Sequence, residues 1–174
     1  MVSVRIIAIA GALSLVIFSA RAQTYDPENV VRGVCRPDGC DDFTIASIEI
    51  INRVHDGALA RARIEVYHSS FRGRVARGVE ERHAFCSNTR PAIAEAAFGR
   101  HVAFFLAPLG TAREPRDTIN YYALYFAICH GLEAGRAAAK NKIAVAKQFG
   151  YQVSLDALRS INLSSPEDIV RLRP

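Results

Sequence analysis

Hydrophobic and polar positions alternate most regularly over Ala58–His68. Small and branched apolar residues occupy the even positions and mostly charged residues the odd ones: Ala60, Ala62, Ile64 and Val66 against Arg61, Arg63, Glu65 and Tyr67. The preceding run, Phe43–Val54, alternates less strictly, and Asp56-Gly57 between the two runs is a typical turn dipeptide of hairpins. The pattern predicts a β-hairpin with one buried face and one solvated face.

A different pattern marks Tyr121–Gly131, the longest uncharged apolar run after the N-terminal segment. Its tyrosine, phenylalanine and isoleucine content favours a strand, and the lack of polar alternation indicates that both faces are covered. We therefore predict a buried strand. A buried helix over residues 121–130 is the alternative, because the periodicity of a fully apolar run does not distinguish the two.

Weaker patterns predict the other strands and loops. Strands are expected at Arg82–Ser87 and Phe98–Leu106, Ala92–Ala97 is ambiguous, residues 69–81 are expected to form an exposed loop or a short frayed strand, and residues 23–36 an irregular arm. Glycine, proline and charged residues interrupt the apolar positions in these stretches, which weakens any strand signal.

Helices are predicted near the end of the chain. Leu132–Phe149 is alanine-rich and is followed by Gly150, which is typical of a helix with a C-terminal stop. A short helix is expected over Leu155–Ile161, and the capping residue Ser165 predicts another over Pro166–Leu172. Together the patterns predict an α+β fold, with a small, mostly antiparallel sheet of roughly four to six strands and helices in the C-terminal third.

The N-terminal residues have the composition of a secretory signal peptide. Arg5 precedes the apolar run Ile6–Ser19, and Ala20-Arg21-Ala22 matches the small-residue cleavage pattern, so the mature chain is expected to begin at Gln23. The apolar run is shorter than the roughly 20 residues that a transmembrane helix needs, which makes an uncleaved anchor the less favoured alternative.

Export and charge limit the classes of function. We expect residues 1–22 to be removed and residues 23–174 to form one α+β domain, in the periplasm or secreted, without a transmembrane span. Removal of Arg5 and Arg21 lowers the formal net charge from +5 to +3. This surplus is too small to indicate nucleic-acid binding.

The four cysteines, Cys35, Cys40, Cys86 and Cys129, are expected to form two disulfide bonds in an exported chain. We favour Cys35–Cys40, because Asp38-Gly39 between them favours a turn, together with Cys86–Cys129. In the alternative pairing the two N-terminal cysteines are joined to Cys86 and Cys129, and the sequence leaves it open. The cysteine spacing matches neither a zinc site nor a haem attachment site, so we predict no metal and no cofactor.

Candidate catalytic groups are few. Cys129 and His130 are neighbours, but adjacent side chains on a strand point to opposite faces and do not pair. Cys86 is a candidate nucleophile, with His83 or His101 as its base, only if its thiol is free. A small hydrolase or thiol enzyme that uses Cys86 or His130 is therefore the alternative to a binding protein.

The densest basic segment lies between residues 61 and 77. The candidate binding residues are Arg61, Arg63, Arg72, Arg74, Arg90 and His130. A solvated sheet face and loop is the simpler explanation of this charge, whereas a functional explanation requires an acidic envelope protein, a glycan or an anionic surface as partner. Convergence of Arg90, His130 and a carboxylate in one cleft would favour the enzyme hypothesis instead.

Three segments resemble an uncharacterised family of small exported proteins of alphaproteobacteria: Cys86-Ser-Asn-Thr-Arg-Pro91, Tyr125-Phe-Ala-Ile-Cys-His-Gly131 and Ser165-Pro-Glu-Asp-Ile-Val170. The resemblance covers most of the mature chain and implies a periplasmic setting, but no activity and no functional residue. We therefore expect a non-enzymatic, disulfide-stabilised binding or interaction domain of the cell envelope. Its contact surface is expected on the arginine-bearing hairpin face and residues 69–79.

Overall fold

The computed structural model describes residues 27–97, 99–153 and 155–173, so the predicted leader and its cleavage site lie outside the described residues. Seven antiparallel strands form one sheet in which each strand pairs with its neighbours in the sequence, and two helices are inserted between the sixth and seventh strands. The strands are β1 Val30–Arg36, β2 Gly39–Val54, β3 Gly57–Ser70, β4 Gly73–Cys86, β5 Ala92–Ala97, β6 Arg100–Phe105 and β7 Arg159–Leu163; the helices are α1 Thr118–His130 and α2 Leu132–Gln148, with 3₁₀ helices at Pro27–Asn29 and Pro166–Val170. The predicted α+β class is confirmed, with more strands than expected.

The predicted hairpin is confirmed as β2 and β3, which pair along their length around the turn at His55-Asp56. Its even positions Ala60, Ala62 and Ile64 are fully buried, whereas the odd positions Arg61 and Arg63 are exposed. The alternation in the sequence therefore determines which face of the sheet carries the core.

The two sides of the sheet have different cores. On the helix side, against which α1 and α2 pack, Tyr125 and Phe126 of α1 cluster with Ile64 and Ile93 of the sheet. On the far side a smaller cluster around Phe85 is covered by the C-terminal 3₁₀ helix through its buried Ile169. The odd positions of β3 beyond that cluster face solvent.

The run Tyr121–Gly131 lies in α1 and its C-cap, so the predicted buried strand is wrong and the alternative, a buried helix over residues 121–130, is correct. Every residue from Tyr122 to Ile128 of α1 is buried. A helix that is covered on all sides needs no polar face, and its sequence therefore lacks amphipathic periodicity. Gly135 of α2 permits the close crossing of the two helices, because a Cβ at that position would lie 2.6 Å from the Cβ of Ala127.

Two further predictions are wrong, and a third holds only in its alternative. Residues 69–81 form the end of β3, a turn and the start of β4, so the expected loop is wrong and the alternative strand is longer than predicted. Residues 30–36 of the predicted arm form β1, and Leu155–Ile161 leads into β7, which pairs with β6, instead of forming a helix. In the stretches of β4 and β7 most side chains are exposed, so the sequence carries little hydrophobic alternation there. In β1, Val30, Val31 and Val34 are buried, but their spacing does not alternate.

The other elements agree with the sequence. Strands occur at the end of β4 and at β6 as predicted, the ambiguous Ala92–Ala97 is β5, and α2 matches the alanine-rich helix. Helix α2 bends at Asn141, which has non-helical dihedral angles and whose side-chain oxygen accepts the Ala144 N–H at 3.1 Å. At the C-terminus Ser165 and Asp168 form the capping box of the 3₁₀ helix.

Both favoured disulfide bonds are present, Cys35–Cys40 and Cys86–Cys129. Cys35 lies opposite Cys40 across β1 and β2, so the first bond closes a hairpin. The second joins the last residue of β4 to α1 and therefore fastens the buried helix to the sheet.

Candidate functional site

The pairing of the sheet is interrupted along β4. This strand has 14 residues, but only Arg82–Phe85 pair with β5, which has six. Within the described part of the chain, Gly73–Glu81 therefore have β3 on one side and no strand on the other. We call residues 69–81, which comprise the end of β3, the turn and this unpaired part of β4, the hairpin arm. Its free edge presents backbone N–H and C=O groups that another extended chain can pair with.

Exposed apolar side chains are concentrated on the hairpin arm. Phe71 at the turn is 90% exposed, Val75 60% and Val79 52%. They are three of the six large apolar side chains that are exposed in the described residues. The register places Val75 opposite His68 and Val79 opposite Glu65, so the two lie on opposite faces of the arm. Exposed apolar groups on both faces beside a free strand edge are typical of a site that receives another strand.

The arm is also basic. Arg72 lies with its guanidinium 5.4 Å from the centre of the Phe71 ring, and its position at the turn leaves it exposed. Arg77 is the extra residue of a bulge, because the register of β3 and β4 shifts between the pairs Val66–Gly78 and Tyr67–Ala76. The Arg77 side chain is exposed as well.

Arg74 is held differently, because it belongs to a polar network beside the turn of the arm. Its Nη2 donates to the carboxylate of Asp42 at 2.9 Å, its Nε donates to Ser69 at 2.9 Å, and the Ser69 hydroxyl donates to the same carboxylate at 2.6 Å. Arg32 of β1 donates to Asp42 from the other side at 2.9 Å. The network fixes the arm to β1 and β2.

Asp42 is fully buried at the centre of this network. Burial alone would raise the pKa of its carboxyl group, but the hydrogen bonds from two guanidinium groups and a serine outweigh that effect and hold the pKa below its usual value. The carboxylate therefore stays ionised, and it neutralises part of the charge of Arg74.

Arg61 and Arg63 lie on the same side of the sheet as Arg74 but far from the turn. Arg61 donates to Glu49 at 2.6 Å, and Arg63 lies opposite Glu81. Eight residues of β3 separate Arg61 from Ser69, or about 27 Å along an extended strand. The predicted arginines thus form a row along β3 and β4, and those at its end are associated with the apolar groups.

Arg90 is buried and has a structural environment. Its guanidinium donates to both carboxylate oxygens of Asp56, at 2.5 and 3.1 Å, and to the backbone oxygens of Val170 and Leu172 at 2.8 and 2.7 Å. It also lies 4.6 Å from the centre of the Phe85 ring. Through these hydrogen bonds Arg90 links the C-terminal segment to the β2–β3 turn.

His130 ends a hydrogen-bonded chain of buried hydroxyl groups. Its Nε2 lies 2.7 Å from the Tyr151 hydroxyl, which donates to Tyr125 at 3.0 Å, and Tyr125 donates to the Ser87 carbonyl at 3.2 Å. Since Tyr151 donates to Tyr125, we assign the Nε2 proton to His130. Burial lowers the pKa of His130, and its ring stacks on Phe149 with centres 4.0 Å apart. The His130 and Arg90 side chains do not meet, although the backbone N–H of Arg90 donates to the hydroxyl of Ser87, the residue at the other end of the tyrosine chain.

The chemical candidates for catalysis are limited. All four cysteines are in disulfide bonds, so Cys86 offers no thiolate while its bond is intact. In the described ranges, no group of three or more histidine, cysteine, aspartate or glutamate side chains is arranged to hold a metal ion.

Neither helix has the length and apolarity needed to cross a bilayer, as far as the described residues extend.

The sequence indicated part of this site. It singled out Arg72 and Arg74, but not the exposed Phe71, Val75 and Val79, which stand out only once the segment is known to be a strand.

Comparisons with protein-family models, with curated proteins and with solved structures give no match to this chain. The site must therefore be interpreted from its own geometry.

Proposed function

We propose that this protein is a non-enzymatic interaction domain that receives an extended, acidic segment of a partner protein on the hairpin arm. The observation that carries the proposal is the free edge of Gly73–Glu81, flanked by exposed apolar and basic side chains. An added strand would form main-chain hydrogen bonds along this edge, and its side chains would contact Val75 and Val79.

Charge supports an acidic partner. Arg72 and Arg77 are exposed near the end of the arm. The Asp42 carboxylate of the neighbouring network does not neutralise them, because it is buried and already bonded to Arg74 and Arg32. An acidic side chain of a bound segment would gain charge-assisted hydrogen bonds there. Farther along the edge, Glu80 is bonded to Arg82 at 2.5 Å, so the attraction is strongest toward the turn.

The bulge at Arg77 limits how long a regular added ladder can be, because bulges interrupt pairing and twist an edge. The proposed contact is therefore a short one on either side of Arg77. A short extended segment with modest affinity suits such an edge better than a large permanent interface.

We further propose that the protein works in the periplasm or outside the cell, as the signal-peptide pattern and the family resemblance imply. The two disulfide bonds support an oxidising compartment. They also weaken the alternative of a thiol enzyme at Cys86. His130 remains outside the proposed function, because its ring bonds a buried tyrosine.

Amide hydrogen exchange tests the proposal directly. The probe is a short extended peptide of alternating valine and glutamate, and we expect it to slow exchange of amides within Gly73–Glu81. Arg72→Glu/Arg77→Glu should weaken binding by about tenfold or more, since two charge-assisted contacts become repulsive. Val75→Lys/Val79→Lys should also weaken it by removing the apolar contacts.

The matched control is Arg171→Glu/Arg173→Glu, which changes the net charge equally at two exposed arginines outside the arm. It should leave peptide binding unchanged. Another unpaired stretch of the sheet is an internal control, because Ser47–Val54 of β2 extend beyond the residues that β1 pairs with and expose Ile48 and Ile50. Protection at Ser47–Val54 instead of the arm, or equal weakening by the control variant, would overturn the proposal.

A further inference from the structure

A concave surface, separate from the hairpin arm, lies on the helix side between the edge strand β1 and helix α2. It is a cleft of about 430 Å³, which is within the size range of small-molecule sites. Its lining combines a strip of backbone and apolar side chains with three cations: Val30, Gly33, Cys35 and Ala139, and Arg32, Arg136 and Lys140. Among the residues that the structure describes, no carboxylate lines this cleft.

A neighbouring hollow of about 290 Å³ continues this cleft along α2. The two share Ala139 and Lys140, and the second adds Arg116 and Lys142. We call the two together the cationic cleft. Glu114, the carboxylate that lines the second hollow in the described part of the chain, is bonded to Lys142 at 2.8 Å and is nearly buried. The cationic cleft therefore has an excess of positive charge.

Three of these cations are fixed by the fold. Arg32 donates to the Asp42 carboxylate, as described above. Arg136 donates its Nε to the Val30 carbonyl at 2.8 Å and also bonds Glu133 and the carbonyl of Glu28, so it fastens α2 to the start of β1. Lys142 donates to Glu114 and to the Tyr122 hydroxyl. Their side chains shape the walls and contribute charge.

The side chains of Lys140 and Arg116 differ from these, because within the described ranges they have no ion pair and are exposed. Lys140 lies between the two hollows, one helical turn or about 6 Å from Arg136. Arg136 and Lys140 at this spacing, with Arg116 across the second hollow, can contact separate anionic groups of one molecule.

We propose that the cationic cleft binds a small multivalent anion that carries two or more phosphate or carboxylate groups. This site is separate from the hairpin arm and goes beyond the interaction proposed there. One anionic group would lie near Lys140 and Arg136, and another near Arg116. Lys140 contacts the ligand from both hollows and is therefore its main anchor.

Calorimetry with inorganic tripolyphosphate as the probe tests the proposal, and citrate in a parallel titration distinguishes phosphate from carboxylate ligands. Lys140→Glu should weaken binding by about tenfold or more, and Arg116→Glu should add to that loss. Lys147→Glu, with the same charge change on an exposed position of the same helix, and Arg113→Glu are the matched controls. Arg136 is not varied, because it holds Val30.

Backbone amide chemical shifts provide a second readout. On addition of tripolyphosphate we expect the amides of Gly33 and Ala139 to shift in the parent protein and in Lys147→Glu, but not in Lys140→Glu. Equal losses of affinity in Lys140→Glu and Lys147→Glu would show attraction to net charge alone and overturn the proposal. So would the absence of binding by both tripolyphosphate and citrate.

Discussion

The guanidinium of Arg90 makes a two-point hydrogen bond with the carboxylate of Asp56, 34 residues away in the sequence. The same guanidinium donates to the carbonyls of Val170 and Leu172. One buried cation thus joins the β2–β3 turn, the segment after β4 and the C-terminal 3₁₀ helix. A planar group with five donors suits this arrangement, and a lysine could not reproduce it.

Replacement of this cation should destabilise the fold strongly. In Arg90→Met the Asp56 carboxylate and two backbone carbonyls lose their partner, which costs about 3–5 kcal/mol when a buried pair is broken. Urea unfolding measures the loss, and limited proteolysis should cut first near residues 164–173. Arg113→Met, at an exposed position, should change stability by less than about 0.5 kcal/mol. A stable Arg90→Met variant would show that the C-terminal segment is held by its apolar contacts alone.

Asp56 should make stability depend on pH in acid. The hydrogen bonds from Arg90 lower the pKa of its carboxyl group in the folded state. Such a group stabilises the fold fully above its unfolded pKa, about 3.9, and loses that contribution as the pH falls through its folded pKa. The free energy of unfolding should therefore decrease as the pH is lowered below about 4.

Asp56→Asn should reduce the slope of that decrease, because the amide binds no proton in this range. Urea unfolding of both proteins over a series of acid pH values provides the comparison. Asp38→Asn, at an exposed turn without an ion pair in the described residues, is the control. If Asp56→Asn and Asp38→Asn lose stability as steeply as the parent, other carboxylates such as Asp42 carry the acid sensitivity.

The two disulfide bonds should contribute unequally. Cys86–Cys129 spans 43 residues and Cys35–Cys40 only five. In the chain-entropy model the longer loop stabilises by about 4 kcal/mol and the shorter by about 2 kcal/mol. Paired Cys→Ala variants, compared by urea unfolding, should show this order. The reverse order would indicate that the short bond supports the network around Asp42.

Lys142 and Glu114 should show strong energetic coupling. The ammonium group also donates to the Ala107 carbonyl at 3.0 Å and to Tyr122 at 3.1 Å, and the Glu114 side chain is 9% exposed. Lys142→Met leaves this carboxylate unpaired and should cost about 3 kcal/mol, whereas the double variant with Glu114→Gln should recover part of that loss. A double-mutant cycle by thermal unfolding measures the coupling. Additive losses would mean that the pair only bridges two independent surfaces.

The sequence predicted those elements of the fold that have one buried face and one solvent-exposed face. β3 was recognised because Arg61 and Arg63 alternate with buried neighbours. α1 was not, because the core encloses it on every side and a covered helix has the same composition as a covered strand. For residues 69–81 the sequence predicts only an exposed loop or a short frayed strand, because both faces of that part of β4 are exposed and two glycines interrupt it.

The candidate site could be predicted only in part for a related reason. The arginines at 72 and 74 are visible as charge, but the free edge beside them exists because β5 is shorter than β4, and strand lengths emerge only from the pairing. The cationic cleft joins β1 to α2, which are about 100 residues apart in the chain. No local pattern brings Arg32 and Lys140 together.

Each disulfide bond joins cysteines that follow one another in the sequence, the first with the second and the third with the fourth. If the chain is exported as proposed, an oxidant that acts on each cysteine in the order of its emergence from a translocation channel would create only native pairs. Oxidation in that order would attach α1 to β4 only after the bond between β1 and β2 has formed.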